Sequence, residues 1–159
     1  MTRLVNDPVE FSAELVDGFI QANTRYVRPV YGGVVRSTET KPGKVAIVTG
    51  GGLGHYPGFM GWVGPGLVDG AVTGKVFASP AASQVHSVAK AADHGGGILL
   101  AYLNYAGDML QFGMAGELLK ADGFDRQGSG RHQHSVPNTW PVVAFRSSDA
   151  RHMRGRVVI

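Results

Sequence analysis

The strongest constraint on the fold is a run of apolar residues that stops at a cluster of glycines. Lys44 to Val48 reads KVAIV, and the following residues read TGGGLGH, ending at His55. A short, mostly β-branched run bounded by glycines is typical of a strand buried on both faces. The glycines then leave the carboxyl end of this strand, which is where open α/β sheets bind their ligands.

Helices and strands alternate along the rest of the chain. Asp7 and Pro8 mark the start of a helix that we expect to end near Ala22. The other predicted elements are an extended stretch at 26–35, strands at 71–77 and 98–103, and helices at 80–93 and 108–121. This alternation predicts an α/β fold, an open and mainly parallel sheet with helices on both faces.

The apolar residues of each helix indicate which side faces the core. We expect the following to face inward: Val9, Leu15, Val16, Phe19 and Ile20 in the first helix, Val85, Val88 and Ala89 in the second, and Leu110, Met114, Leu118 and Leu119 in the third. Residues three or four positions apart share one side of a helix, which is the basis of this expectation.

Charge is distributed unevenly along the chain. Residues 1–125 contain nine Lys or Arg and eleven Asp or Glu, whereas 126–159 contain six Arg and one acidic residue, Asp149. The formal net charge of +3 therefore arises wholly from the last segment. A nucleic-acid-binding face interleaves basic and aromatic residues on a folded surface, and this segment does not, so we expect no nucleic-acid partner.

Composition limits the other classes of protein. The 159 residues include no cysteine, which excludes disulfides, cysteine-ligated zinc and a thiol nucleophile. His86 and His94 have no partner at metal-binding spacing, so we expect no metal site. No apolar run has the length of a secretory signal or of a membrane span. We therefore expect a cytoplasmic domain with no membrane partner.

The glycine-rich turn is by itself a weak functional signal. No Gly-Lys-Ser/Thr follows at the spacing of a Walker loop, and Pro57 stands where a dinucleotide fingerprint has its third glycine. A tight exit from the strand would explain the glycines equally well. His55 adds chemistry, because an imidazole at a strand end can act as a general base or a hydrogen-bond donor.

Asp108 is the natural companion of His55. It follows the predicted strand at 98–103, so parallel neighbouring strands would place both side chains in one crevice. Together they could deprotonate an alcohol or enolise a carbonyl compound, and the residues alone do not choose between these reactions. Asp108 could equally cap the following helix. Ser79 could contact the same ligand at a third strand end, although a serine in this position more often caps the following helix.

A series of short motifs resembles one known family. In chain order they are LVND at residue 4, KVA at 44, TGGGLGH at 49, GPGL at 64, DGA at 69, VFASP at 76, NYAGD at 104 and Phe112. Jointly they are similar to the substrate-binding (K) domain of dihydroxyacetone kinases, over about residues 1–124. Tyr56, where many members have glutamate, resembles the branch that includes erythrulose kinase-like enzymes.

The resemblance implies a function that spacing alone did not. It implies that the chain binds a small ketose, dihydroxyacetone or erythrulose, and activates its hydroxyl for phosphorylation, with His55 and Asp108 as the catalytic residues. The substrate-binding positions that it implies are Gly51, Gly52, Leu53, Gly54, Ser79, Leu103 and Asn104. Leu103 stands where many members have lysine, which departs from the family at one substrate contact.

Partners are implied by the same resemblance. In the family, the phosphoryl donor is ATP with Mg²⁺ or a phosphoprotein fed by phosphoenolpyruvate. A separate nucleotide-binding (L-type) domain or subunit carries it, so the K domain is expected to bind no cofactor of its own. Related K domains also act as partners of transcription regulators. A non-catalytic ketose-binding or regulatory module is therefore the alternative function.

Residues 126–159 match nothing in the family pattern. Family members bind the substrate carbonyl covalently through a second, distant histidine, and none of His132, His134 and His152 stands in its context. We therefore expect 1–125 to be a truncated K-type domain with little or no kinase activity alone. Its exposed sheet edge and apolar surface would lead either to a homodimer or to poor solubility, and the sequence does not distinguish these outcomes. We expect 126–159 to be a disordered or frame-shifted tail. Codons for 126–131 exist that encode Val-Arg-Val-Val-Val when read one nucleotide later.

Overall fold

The computed structural model describes residues 6–55, 58–127 and 142–147. These residues contain the helices α1 (Phe11–Ala22), α2 (Ala82–Ala92) and α3 (Ala106–Ala121), and two short 3-10 helices (Leu53–His55 and Met60–Trp62). The strands are β1 (Val27–Val30), β2 (Gly33–Arg36), β3 (Ala46–Gly51), β4 (Gly70–Thr73), β5 (Ile98–Tyr102), β6 (Phe124–Gln127) and β7 (Val142–Ser147). None of the helices in the described part has the length and apolarity that crossing a bilayer requires.

The seven strands form one sheet in the order β1-β2-β4-β3-β5-β7-β6. The central strand β3 pairs in parallel with β4 on one side and with β5 on the other. The strands outside this centre pair antiparallel with their neighbours. The predicted α/β fold is confirmed, and its parallel centre brings the carboxyl ends of β3, β4 and β5 to one edge of the sheet.

Helices cover both faces of the sheet, as predicted. Side chains alternate along a strand, so Val48 of β3 faces α2 and α3, while Ala71 of β4 faces the side that carries α1. In α1 the inward residues are those expected from the sequence, Leu15, Val16, Phe19 and Ile20. Each half of the core is therefore built from one helical layer and one face of the same sheet.

Helix α1 begins later than the sequence indicated, so the expectation for Val9 was wrong. The Asp7 carboxylate accepts a hydrogen bond of 2.8 Å from the Val9 N–H, which holds the chain in a turn before the helix starts at Phe11. Val9 consequently lies in solvent with 83% of its surface exposed. An Asp-Pro pair favours such a turn as readily as a helix start.

The stretch predicted only as extended forms a β-hairpin. Strands β1 and β2 pair antiparallel around a turn at Tyr31 and Gly32, where Gly32 has a φ of 84°. Pro29 lies in β1, which is the outer strand of the sheet, and an edge strand tolerates a residue that lacks an N–H.

Helix α3 is rotated relative to the prediction. Leu110, Met114 and Leu118 were expected inward but are exposed. The buried residues are Asp108, Phe112, Ala115, Gly116 and Leu119. Phe112 stacks on Tyr102 of β5, with ring centroids 4.5 Å apart. Because both sides of α3 carry apolar residues, the period was clear from the sequence and the phase was not.

The connection from β4 to α2 also differs from the prediction. Strand β4 ends at Thr73, and α2 begins at Ala82. The N-cap is Ala81, whose N–H donates to the Gln84 side chain at 2.8 Å. Ser79 therefore does not cap the helix, which removes its alternative role.

The expected tail is described only in part. Its described residues, 126–127 and 142–147, belong to β6 and β7, and β7 pairs with β5. Phe145 of β7 is buried in the core. The remaining positions, 128–141 and 148–159, which include all three histidines of this segment, lie outside the described residues.

A buried carboxylate joins the amino ends of the central strands. Asp69 is completely buried and accepts hydrogen bonds from Lys44 Nζ at 2.6 and 2.7 Å, from Arg36 at 3.0 Å and from the Ile47 N–H at 2.9 Å. These partners belong to or precede β2 and β3. A buried charge is tolerated only when it is paired in this way, so Asp69 is a structural residue at the end opposite the glycine loop.

Candidate functional site

The glycine loop, residues 50–54, begins with the last two residues of β3 and is held against the segment that follows β4. The Gly74 N–H donates to the Gly51 carbonyl at 2.9 Å, and the Leu53 N–H donates to the Lys75 carbonyl at 3.2 Å. Leu53 is buried and begins the short 3-10 helix that ends at His55. Two strand ends are thus connected through their backbones, as the parallel pairing of β3 and β4 allows.

Close approach of neighbouring groups explains the glycines of this loop. A Cβ on Gly51 would lie 2.7 Å from the Phe59 ring, and one on Gly52 would lie 3.1 Å from the Ala78 nitrogen. A Cβ on Gly54 would collide with the ring of Phe77. Any larger residue would therefore displace an aromatic ring or the facing backbone.

His55 lies at the surface end of this loop, between two aromatic rings. Its ring centroid is 6.1 Å from that of Phe59 and 6.5 Å from that of Phe77, both in edge contacts. Among the described residues, no side-chain hydrogen bond to the imidazole is found. Within the described part of the chain, both ring nitrogens are therefore available to a ligand. Tyr56, the residue whose type resembles the erythrulose kinase-like branch, lies outside the described residues.

Asp108 lies at the carboxyl end of β5, in the first turn of α3. Its side chain is buried, with 3% of the residue exposed, and Oδ1 has no hydrogen-bond partner among the described residues. The N-cap position is Tyr105, so Asp108 is not the cap that was the alternative interpretation. A buried carboxylate oxygen without a partner costs free energy, unless a ligand supplies the missing hydrogen bond.

Ser79 lies next to the turn that carries Asp108. A Cβ on Gly107 would be 2.6 Å from Ser79 Oγ, so the hydroxyl packs directly on the backbone preceding Asp108. The ends of β3, β4 and β5 are therefore connected in sequence: the glycine loop contacts the segment after β4, and this segment contacts the first turn of α3.

Leu103 and Asn104 complete the set of sequence-predicted positions. Leu103 packs in the cluster that contains Phe59, and its Cδ1 is 3.5 Å from where a Gly51 Cβ would lie. Asn104 is exposed and lies between Leu103 and α3. The structure thus brings Gly51, Gly52, Leu53, Gly54, Ser79, Leu103 and Asp108 to one edge of the sheet, with Asn104 beside them.

Sequence reasoning missed two features of this region. Phe59 and Phe77 flank His55, and neither was singled out as a contact of the imidazole. A cavity of about 560 Å³ is lined by Ser79 together with Asp17, Leu53 and Lys75. The signal for Phe77 was its position in the VFASP motif, whereas nothing in the sequence pattern indicates the cavity.

The chemistry available here is proton transfer and hydrogen bonding. A carboxylate and an imidazole can each accept a proton from a hydroxyl, and glycines let a small ligand approach the main chain. Within the described ranges, no three His, Cys, Asp or Glu side chains are grouped to hold a metal ion. The arrangement therefore offers proton acceptors and main-chain contacts to a ligand that carries hydroxyl groups.

Two curated relatives illustrate what this chain is similar to. The D-erythrulose kinase of Mycolicibacterium smegmatis is 53% identical over 127 residues, which are 80% of this chain and 22% of the relative. The dihydroxyacetone-binding subunit DhaK of a PTS-dependent dihydroxyacetone kinase from Listeria innocua is 40% identical over 123 residues, which are 77% of this chain and 37% of the relative. The chain thus spans about a fifth of the erythrulose kinase and over a third of the subunit.

Two solved structures share the fold. The dihydroxyacetone kinase from C. freundii, solved with AMP-PNP and Mg²⁺, has a TM-score of 0.67 and 32% identity, covering 76% of this chain and 23% of that chain. A dihydroxyacetone kinase operon co-activator, DhaQ, has a TM-score of 0.62 and 26% identity, covering 69% of this chain and 34% of that chain.

The family assignment rests on most of the chain. The Dak1 domain family matches residues 17–129, a range that includes the glycine loop, Ser79 and Asp108. This range contains the three parallel strands and all of the predicted site positions. The chain therefore belongs to the Dak1 domain family and resembles the erythrulose and dihydroxyacetone kinases.

Proposed function

We propose that this chain binds a small ketose, dihydroxyacetone or erythrulose, and activates one of its hydroxyls for phosphorylation. The observation that carries the proposal is the buried Asp108 carboxylate, whose Oδ1 has no partner among the described residues and whose preceding residue, Gly107, packs against Ser79 Oγ. A ketose hydroxyl would supply the missing hydrogen bond. The names of the relatives support the same class of ligand.

Each side chain has a role in this proposal. Asp108 accepts the proton of the ketose hydroxyl. The hydroxyl oxygen then forms a bond to the phosphorus of the donor, while the bond between that phosphorus and the oxygen of the donor breaks. His55 binds the ketose from the glycine-loop side and assists this proton movement. Ser79 and the backbone of Gly51–Gly54 contact the remaining oxygens. Leu103 and Asn104 line the site on the β5 side.

The phosphoryl donor belongs elsewhere in this proposal. ATP with Mg²⁺, or a phosphoprotein fed by phosphoenolpyruvate, is held by a separate nucleotide-binding L-type domain or subunit. The relative named as a dihydroxyacetone-binding subunit supports this separation of ketose binding from donor binding. We therefore expect the chain to bind ketose by itself but to show little or no kinase activity alone.

A regulatory ketose-binding module is the second candidate. The likeness to the operon co-activator, at 26% identity, is the specific observation that favours it. Such a module would bind ketose at the same positions without transferring phosphate. Adding an L-type subunit with ATP and Mg²⁺ separates the candidates, because only the kinase candidate produces a ketose phosphate.

Ketose binding to the purified chain is the first test. Isothermal titration with dihydroxyacetone and with erythrulose should detect binding of at least one of them. Asp108→Asn and His55→Ala should each weaken binding about tenfold or more, the loss expected for one hydrogen bond to an ionic or strongly polar group.

Matched variants far from the site serve as controls. His86→Ala alters a histidine of α2 that pairs with Asp122, at the opposite end of α3 from Asp108. Asp125→Asn alters an exposed carboxylate in β6. Both controls should bind ketose like the wild type. If the wild type binds neither ketose, or if the site variants bind as well as the controls, the proposal is wrong.

A further inference from the structure

Phe77 has a conformation and an environment that are unusual for phenylalanine. The residue is 81% exposed, and its φ is 53°, in the left-handed region. A bulky residue rarely adopts a positive φ, and such residues are found mainly where the surrounding structure enforces them, often at functional sites.

A tight turn enforces this conformation. The Ala78 N–H donates to the Lys75 carbonyl at 3.1 Å, which makes Phe77 the third residue of a four-residue turn. The third position of a turn with positive φ is usually glycine or asparagine. The same Lys75 carbonyl accepts the Leu53 N–H at 3.2 Å, so the turn is attached to the glycine loop. A phenylalanine therefore occupies a position that backbone geometry alone would assign to glycine.

The ring of Phe77 makes contacts that a glycine could not. It covers Gly54, where a Cβ would collide with it, and it meets the His55 imidazole edge-on at 6.5 Å and 86°. The Phe59 ring also meets this imidazole edge-on, with the ring centroids 6.1 Å apart. Edge contacts of this kind stabilise one ring orientation over others. Among the described residues, no side-chain hydrogen bond does this for His55.

We propose that Phe77 is a positioning residue, which holds the His55 imidazole in the orientation needed to meet the ketose. This inference rests on the proposed role of His55 in ketose binding. The strained backbone is retained because the ring that it presents fixes the imidazole. Phe59 is buried in the core and supports the histidine from within, while Phe77 acts from the solvent side.

Phe77→Gly is the decisive variant, since glycine suits the backbone of the turn. We expect its melting temperature to be no lower than that of the wild type. In NMR spectra of the full chain without ligand, the nuclear Overhauser contacts between the His55 and Phe77 rings disappear, and the His55 ring protons shift as the ring current is lost. Ketose binding weakens about three- to tenfold, the equivalent of one aromatic contact.

Two further variants complete the experiment. Phe77→Tyr keeps the ring and should retain the His55 shifts and the wild-type ketose affinity. Leu67→Ala removes another exposed apolar side chain outside the site and should change neither. The inference is overturned if Phe77→Gly leaves the His55 spectrum unchanged, or if Phe77→Tyr behaves like Phe77→Gly. If the wild type binds no ketose, the proposed function fails, while the His55 spectra still decide the positioning role.

Discussion

At the scale of single residues, the Asp69 carboxylate joins β2, β3 and β4 at the edge of the sheet where β3 and β4 begin. Burial by itself would raise the pKa of Asp69, but hydrogen bonds from Lys44, the Ile47 N–H and Arg36, with the charge of Lys44, hold it below its ordinary value of 3.8. A lowered pKa means that the folded state favours the ionised form. This contribution to stability is complete above pH 3.8 and disappears as the pH falls below that value, through the lower pKa of the folded protein.

Asp69→Asn should therefore destabilise the protein in a pH-dependent way. We expect the free energy of unfolding at pH 7 to fall by about 3 kcal/mol, because Arg36 and Lys44 lose a buried partner. The difference from the wild type should shrink as the pH is lowered below 3.8. Urea denaturation at pH 7, 5 and 3 measures it.

Asp122→Asn is the matched control. The pKa of Asp122 is also lowered, by hydrogen bonds from Lys90 and His86 and by their charges, but this cluster is solvent-exposed. The control should change stability much less than Asp69→Asn, since exposed ion pairs contribute little. A destabilisation by Asp69→Asn that is equal at pH 7 and pH 3 would contradict the account.

The candidate site was identified from the sequence to the extent that local patterns allow. His55 and Asp108 follow apolar strands, and this order along the chain is enough to place them at strand ends. The alternative helix-cap roles of Asp108 and Ser79 were not decided by sequence, because a cap depends on the residue at which the backbone enters the helix. Phe77 was missed, since its φ follows from a turn that is attached to a distant loop.

At the scale of elements, two of the three glycines of α3, Gly113 and Gly116, have contrasting surroundings. A Cβ on Gly113 would have no neighbour within 4 Å, whereas one on Gly116 would lie 2.7 Å from the Phe145 ring of β7. Gly113→Ala should stabilise the protein by about 0.5–1 kcal/mol through helix propensity. Gly116→Ala should destabilise it by about 1–3 kcal/mol through overpacking.

Urea denaturation of the two variants tests the packing of α3 against β7. Equal stabilisation by both substitutions would show that Phe145 does not approach the helix as described. The comparison also explains the incorrect phase predicted for α3. Leu110, Met114 and Leu118 repeat with helical spacing, but the small surface at Ala115 and Gly116 is the one that admits the sheet.

At the scale of the whole molecule, the same helix leaves an apolar stripe in solvent. Leu110, Met114 and Leu118 are spaced four residues apart and are 61%, 51% and 43% exposed. Contiguous exposed apolar residues favour association. We expect the chain to self-associate as its concentration rises, and the triple change to glutamine to reduce this while altering stability by no more than about 0.5 kcal/mol per position.

Light scattering coupled to size-exclusion chromatography measures this association. Leu67→Gln changes a single exposed apolar residue elsewhere and should leave it unaltered. A wild-type chain that stays monomeric at every concentration, or a triple variant that associates equally well, would contradict the expectation.

The sequence by itself determined the order of the central strands and helices along the chain, the glycine loop at a strand end, the two titratable residues that follow β3 and β5, and the resemblance to a family. These features depend on local periodicity and on the conformations that glycine and proline allow, which each segment carries in its own residues. The tertiary structure alone decided which side of α3 is buried, how Asp69 joins three strands and why Phe77 has a positive φ. These depend on contacts between segments far apart in the chain, where packing against a particular partner overrides local preference.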